Sequence, residues 1–168
     1  ILKENPVGAL QYGISEGNIQ LREKILEMVK ERENIVATLD EITIVSGGQQ
    51  AIEITSKILL NEGDSVIVEA PSFVGGLNAF RSYGANLIGV EVESDGINIE
   101  KLEEIIKSTP NVKLIYTIPN FQNPSGITMS VEKRRKLYEI ARDNGVFIIE
   151  DNPYGELTFD GVKLPTIK

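Results

Sequence analysis

Hydrophobic positions in this chain alternate between short continuous runs and helical stripes. Val66-Ile-Val-Glu69, Asn86 to Val92 and Lys113 to Ile118 are runs of strand length, rich in β-branched residues. Val146-Phe-Ile-Ile-Glu150 is a fourth, which reads as a strand buried on both faces and delivers Asp151 at its carboxyl end. Glu41 to Val45 predicts a further short strand, followed by a glycine turn and a helical pattern from Ala51 to Leu60.

Between the runs lie stripes of helical period. Leu21, Ile25, Met28 and Val29 share one face of a helix running from about Asn18 to just before Asn34. A loop and a short helix follow Ala70-Pro-Ser-Phe73 and reach Ser82. Ile99, Leu102, Ile105 and Ile106 form the apolar face of a helix capped by Asn98, after a turn at Asp95-Gly96. Ser130 is a good N-cap for a helix turning Leu137, Ile140 and Ala141 inward, and Gly145 stands where a left-handed residue ends it. Strands alternating with helices through short turns predict a three-layer α/β/α domain with a mainly parallel sheet. Residues 1–17, rich in glycine and polar side chains, read as an irregular arm carrying Tyr12, and residues 18–168 as the domain.

Composition narrows the chemistry. With 168 residues and 41% hydrophobic content the chain is the size of one domain with a real core. A net charge of −8 argues against a nucleic-acid partner, whose phosphates require a basic surface. The absence of cysteine and histidine excludes disulfides and thiolate metal sites and removes the commonest general base, so no metal is expected. Proton transfer then falls to a carboxylate, a lysine, a tyrosine or a cofactor. No apolar run is long enough to span a bilayer and no signal-peptide layout opens the chain, so a cytoplasmic protein is expected. The chain begins at Ile1 without a methionine and stops after a Pro-Thr turn, and both ends read as cut.

The special residues follow strands, and parallel strands would bring them to one edge of the sheet, where α/β folds bind ligands. Gly47-Gly48-Gln49 ahead of a helix suits close approach of an anion to free N–H groups, or a tight turn. Asp151 could hold a ring nitrogen protonated, or cap a turn; Phe73 could stack on a flat ligand, or anchor its loop. Asn123, in Asn-Pro-Ser-Gly126, reads first as a turn residue that also presents an amide. Tyr154 and Tyr12 each offer a phenol, and each has an ordinary packing role as the alternative.

Taken together, Ser46-Gly-Gly-Gln-Gln-Ala51, Glu69-Ala-Pro-Ser-Phe73, Ile118-Pro-Asn-Phe-Gln-Asn-Pro-Ser-Gly126 and Ile149-Glu-Asp-Asn-Pro-Tyr154 resemble class I/II aminotransferases of fold type I. The wording is similar to the branch holding 2-aminoadipate and kynurenine aminotransferases. The resemblance implies a cofactor, pyridoxal 5′-phosphate. Gly47, Gly48 and Gln49 would cradle its phosphate and Phe73 would stack on its ring; Asn123 and Tyr154 would bond the phenolic oxygen, and Asp151 the ring nitrogen. Tyr12 would reach the phosphate of the other subunit, which implies a homodimer acting on amino acids and 2-oxo acids.

The family's Schiff-base lysine sits in a serine-rich turn that has no match here; after Asp151 only Lys163 and Lys168 occur, and neither has that setting. No catalytic residue is therefore assigned within the chain. The family's carboxylate-binding arginine has no match either: Arg22, Arg32, Arg81, Arg134, Arg135 and Arg142 read mostly as solvated helix charge. The expectation is a truncated large domain that binds the cofactor weakly and does not transaminate alone. The alternative is the effector-sensing, aminotransferase-like domain of a winged-helix transcription regulator, which would keep the same motifs.

Overall fold

The computed structural model describes residues 2–159 and 161–167; Ile1 and Lys168, noted above, lie outside them. The chain divides after Val45 into two compact units.

In residues 2–45 the arm is not wholly irregular. Asn5 caps a short helix, α1 (Pro6–Leu10), by accepting from the Gly8 N–H at 3.0 Å. The helix expected next is α2 (Ile19–Glu33), capped by Asn18 and ended by Asn34 in the left-handed region. Its apolar stripe is not its buried face, however: Leu21 and Met28 are exposed, and the buried residue is Arg22. The Arg22 guanidinium donates to the carbonyls of Ile42, at 2.8 Å, and Leu39. It is thus a tether and not the solvated charge that its polar neighbours suggested. The strand expected over Glu41 to Val45 does not form. Thr38 and Glu41 close a capping box around a 3-10 turn at Leu39–Glu41. The Ile44 N–H bonds the Glu16 carbonyl at 2.9 Å, a single link to the arm where a strand needs a ladder.

Residues 46–167 form the layered domain. Its central strand, β1 (Ser65–Ala70), pairs in parallel with β2 (Asn86–Glu93) on one side and β4 (Val112–Thr117) on the other. A two-residue strand, β3 (Gly96–Ile97), adds antiparallel to β2 where only a turn was expected. At the opposite edge β5 (Phe147–Glu150) pairs in parallel with β4, giving the order β3-β2-β1-β4-β5.

Side-chain alternation sends the two faces of β1 and β4 into separate cores. Val66, Val68, Leu114 and Tyr116 pack with Ile52, Ala79 and Phe80 from α3 (Gly48–Leu59) and α4 (Val74–Ser82). Ile67 and Ile115 pack on the other side with Leu102 and Ile106 from α5 (Ile99–Ser108), and with Leu137 and Ile140 from α6 (Val131–Asn144). The three-layer expectation therefore holds. One part of it fails: β5 is an edge strand, with Phe147 59% exposed and Ile148 to Glu150 half-buried, so it is not covered on both faces.

The order of strands places the topological switch between β1 and β4. Chain leaving β1 for β2 and chain leaving β4 for β5 run in opposite directions across the sheet, opening a crevice at their carboxyl ends.

Candidate functional site

Three loops meet at that crevice. The loop after β1 carries Phe73, the loop after β4 carries Asn123, and Asp151 follows β5 directly, its N–H bonded to the Thr117 carbonyl at 2.9 Å. With the first turn of α3 they enclose a cavity of about 210 Å³ lined by Gly48, Gln49, Ile52, Phe73, Ile118, Asn123, Asp151, Pro153 and Tyr154. Six of the eight residues singled out from the sequence line it, and Gly47 adjoins it as the N-cap of α3. Tyr12 belongs to the other unit and is fully exposed.

The first turn of α3 is shaped by glycine. Gly47 has φ 85°, in the left-handed region, and gives no side-chain cap. The Gln50 side chain instead accepts from the Ser46 N–H at 2.6 Å and folds the chain into the turn. At Gly48 a Cβ would stand 3.9 Å from Asp151 Oδ1, so helix terminus and carboxylate face each other closely. Gln49 donates to the Gly75 carbonyl at 3.1 Å, joining the first turns of α3 and α4. Gly75 itself has no room for a side chain: a Cβ there would lie 2.4 Å from the Phe73 ring and 2.6 Å from the Gln49 amide. Phe73 is held by that close approach.

On the opposite wall Asn123 and Tyr154 stand as a pair, the amide nitrogen 3.5 Å from the phenol oxygen. The Asp151 carboxylate accepts from the Tyr116 hydroxyl at 2.8 Å through Oδ2. Tyr116 is fully buried, packed edge-on to Phe80 with ring centroids 5.4 Å apart. Burial first, and then the charge of Asp151 and the bond to it, push this phenol well above the usual tyrosine range, so it stays a donor.

Beneath the cavity lies polar structure that sequence reasoning missed. Glu69, 2% exposed, accepts from the Thr117 hydroxyl at 2.6 Å and from the Ile118 N–H at 3.2 Å. Burial raises its pKa, and those two bonds oppose the rise. Gln122 donates to the Pro71 carbonyl at 2.7 Å and accepts from Ser125, binding the Asn123 loop to the Phe73 loop. Arg134, also buried, donates to the carbonyls of Met129, Pro119 and Pro165 and to the Asn120 amide oxygen, and Asn120 in turn bonds Asn152 at 2.8 Å. Like Arg22, it corrects the reading of these arginines as solvated. The available signal was a charged residue closing an apolar run, as in Val66-Ile-Val-Glu69, which a buried strand tolerates only with partners.

Residues 4–167 match the family model for aminotransferase class I and II. The chain belongs to this family. Among its relatives is aromatic-amino-acid aminotransferase 1 of Thermococcus litoralis, 38% identical over all of this chain and 41% of that protein. Kynurenine aminotransferase of Pyrococcus horikoshii, solved in complex with PMP, superposes with a TM-score of 0.91 at 37% identity, covering 99% of this chain and 42% of that one. The HTH-type transcriptional regulator YisV of Bacillus subtilis is 34% identical over 93% of this chain and 32% of that protein. The chain thus spans about two fifths of the length of the aminotransferases it matches. The family resemblance, its kynurenine-related branch and the fold type I large-domain architecture, all read from the motifs, hold.

Proposed function

We propose that the protein carrying these residues is a pyridoxal 5′-phosphate-dependent aminotransferase, moving an amino group from an amino acid to a 2-oxo acid. The observation that carries the reading is the convergence of a glycine-shaped helix terminus, an aromatic face, an amide-phenol pair and a carboxylate on one cavity.

The donor set fits the cofactor. Open space at Gly47 and the absence of a side-chain cap leave the first N–H groups of α3 for a phosphate. Phe73 offers its face to the ring, while Asn123 and Tyr154 stand ready to bond the phenolic oxygen. Asp151, anchored by Tyr116, would hold a proton on the ring nitrogen. Pyridoxal 5′-phosphate supplies an electron sink for the pair left when the substrate's Cα–H bond breaks. The protein's own part would be to orient the ring against Phe73, exclude water from the cavity and keep that nitrogen charged. On this reading Tyr12 would reach the phosphate of a second subunit in a homodimer, and the protein would work in the cytoplasm. Among the described residues no helix is long and apolar enough to cross a membrane.

The test is product analysis of the whole protein supplied with pyridoxal 5′-phosphate, an amino acid and a labelled 2-oxo acid. Label appearing in a new amino acid, lost in Asp151→Ala, is the expected result. The likeness to YisV supports a second reading, an effector-sensing domain. Cofactor binding without label exchange, together with specific DNA binding by the whole protein, would favour it.

A further inference from the structure

Tyr116 stands in the inner layer of β4, its backbone paired with Val68 on one side and Ile149 on the other. Its ring has one place to go. A Cβ on Gly76 would meet Tyr116 Cε1 and Cζ at 3.0 Å and the hydroxyl at 3.3 Å, so a larger residue there would crowd the phenol, and Phe80 packs its edge. The hydroxyl lies 2.8 Å from Asp151 Oδ2. Asp151 Oδ1 lies on the Gly48 side.

We infer that Tyr116 is a positioning residue for Asp151: it occupies one carboxylate oxygen with a permanent donor and so holds the other turned toward the cavity. This rests on the reading of the cavity as a pyridoxal 5′-phosphate site. The charged and titratable groups around the phenol are Asp151, Glu69 and Tyr154. No lysine or arginine among the described residues lines the cavity, so the hydroxyl has no cationic competitor there for stabilising the carboxylate. A carboxylate freed of that bond can turn away from the ring nitrogen, whose cationic form then loses the aligned partner that stabilises it. In Tyr116→Phe the ring nitrogen should therefore lose its proton more readily, by about tenfold.

The experiment is nitrogen NMR of the whole protein loaded with pyridoxal 5′-phosphate labelled at the ring nitrogen, followed across pH. Wild type should give the protonated-ring resonance, and Tyr116→Phe should move it toward the neutral value, with ring deprotonation at lower pH. Gly76→Ala, which crowds the phenol against its bond to Asp151 while leaving Tyr116 in the sequence, should move it the same way by a smaller amount and stands in if Tyr116→Phe does not fold. A merely structural tyrosine would change stability and leave the resonance in place. An unmoved resonance in a folded variant overturns the inference and spares the cofactor reading. A wild-type protein that binds no cofactor, or binds it with a neutral ring, overturns the reading and the inference with it.

Discussion

Glu69 accepts from the Thr117 hydroxyl at 2.6 Å, a fully buried bond across the seam between β1 and β4. A second bond, from the Ile118 N–H, makes the same carboxylate the staple of the crevice floor. Burial raises its folded pKa above the ordinary 4.5. A group raised in this way contributes stability below its unfolded pKa and loses it as pH climbs through the folded value. Glu69→Gln can keep both partners without the charge. Its denaturant midpoint should therefore rise relative to wild type as pH increases from below 4.5 toward neutrality. Parallel pH profiles for the two proteins would contradict this.

Arg134→Met should be strongly destabilising. The side chain is 2% exposed and satisfies three carbonyls and the Asn120 amide. Leaving these buried acceptors unpaired costs about 3–5 kcal/mol. Urea unfolding measures it, and a loss below about 1 kcal/mol, the usual value of a surface charge, would refute the tether.

Both buried arginines show where the sequence stops being legible. Arg22 and Arg134 sit among charged neighbours on helices whose composition is that of solvated faces. Their burial is decided by carbonyls from Leu39, Ile42, Pro119 and Pro165, distant in sequence. The same tertiary control decided the strands. The runs at β1 and β4 were readable because both of their faces are covered, whereas the β-branched run ending at Val45 pairs with no strand among the described residues. Phe73, Asn123, Asp151 and Tyr154 were legible because each follows a strand in a turn motif, and Gly48 and Gln49 because a glycine turn opens a helix there. Tyr116 was not, because alternation alone marks it as core, and only the folded position of Gly76 shows its hydroxyl aimed at Asp151.

Gly75→Ala should separate binding from folding. Gly75 lies inside α4 without a positive φ, so alanine suits the helix, yet its Cβ would fall 2.4 Å from the Phe73 ring. Displacing an aromatic face is worth about 0.5–1.5 kcal/mol. Fluorescence titration of the whole protein with pyridoxal 5′-phosphate should show affinity weakened up to about tenfold with the melting temperature little changed. Unaltered affinity would remove Phe73 from the site.

Arg22→Ala should loosen the segment it ties to α2. Two bonds from a charged donor are lost, each worth about 1.5–3 kcal/mol. Amide exchange over residues 39–45 should accelerate while that over β1 and β4 stays slow; uniform exchange across both regions would contradict a local tether.

The most direct test of the central claim is a crystal structure of the whole protein grown with pyridoxal 5′-phosphate. The account predicts the phosphate at the N–H groups of Gly47 to Gln49, the ring against Phe73, and its nitrogen within hydrogen-bond distance of Asp151. A cofactor bound elsewhere, or a ring turned so that its nitrogen faces away from Asp151, would contradict it.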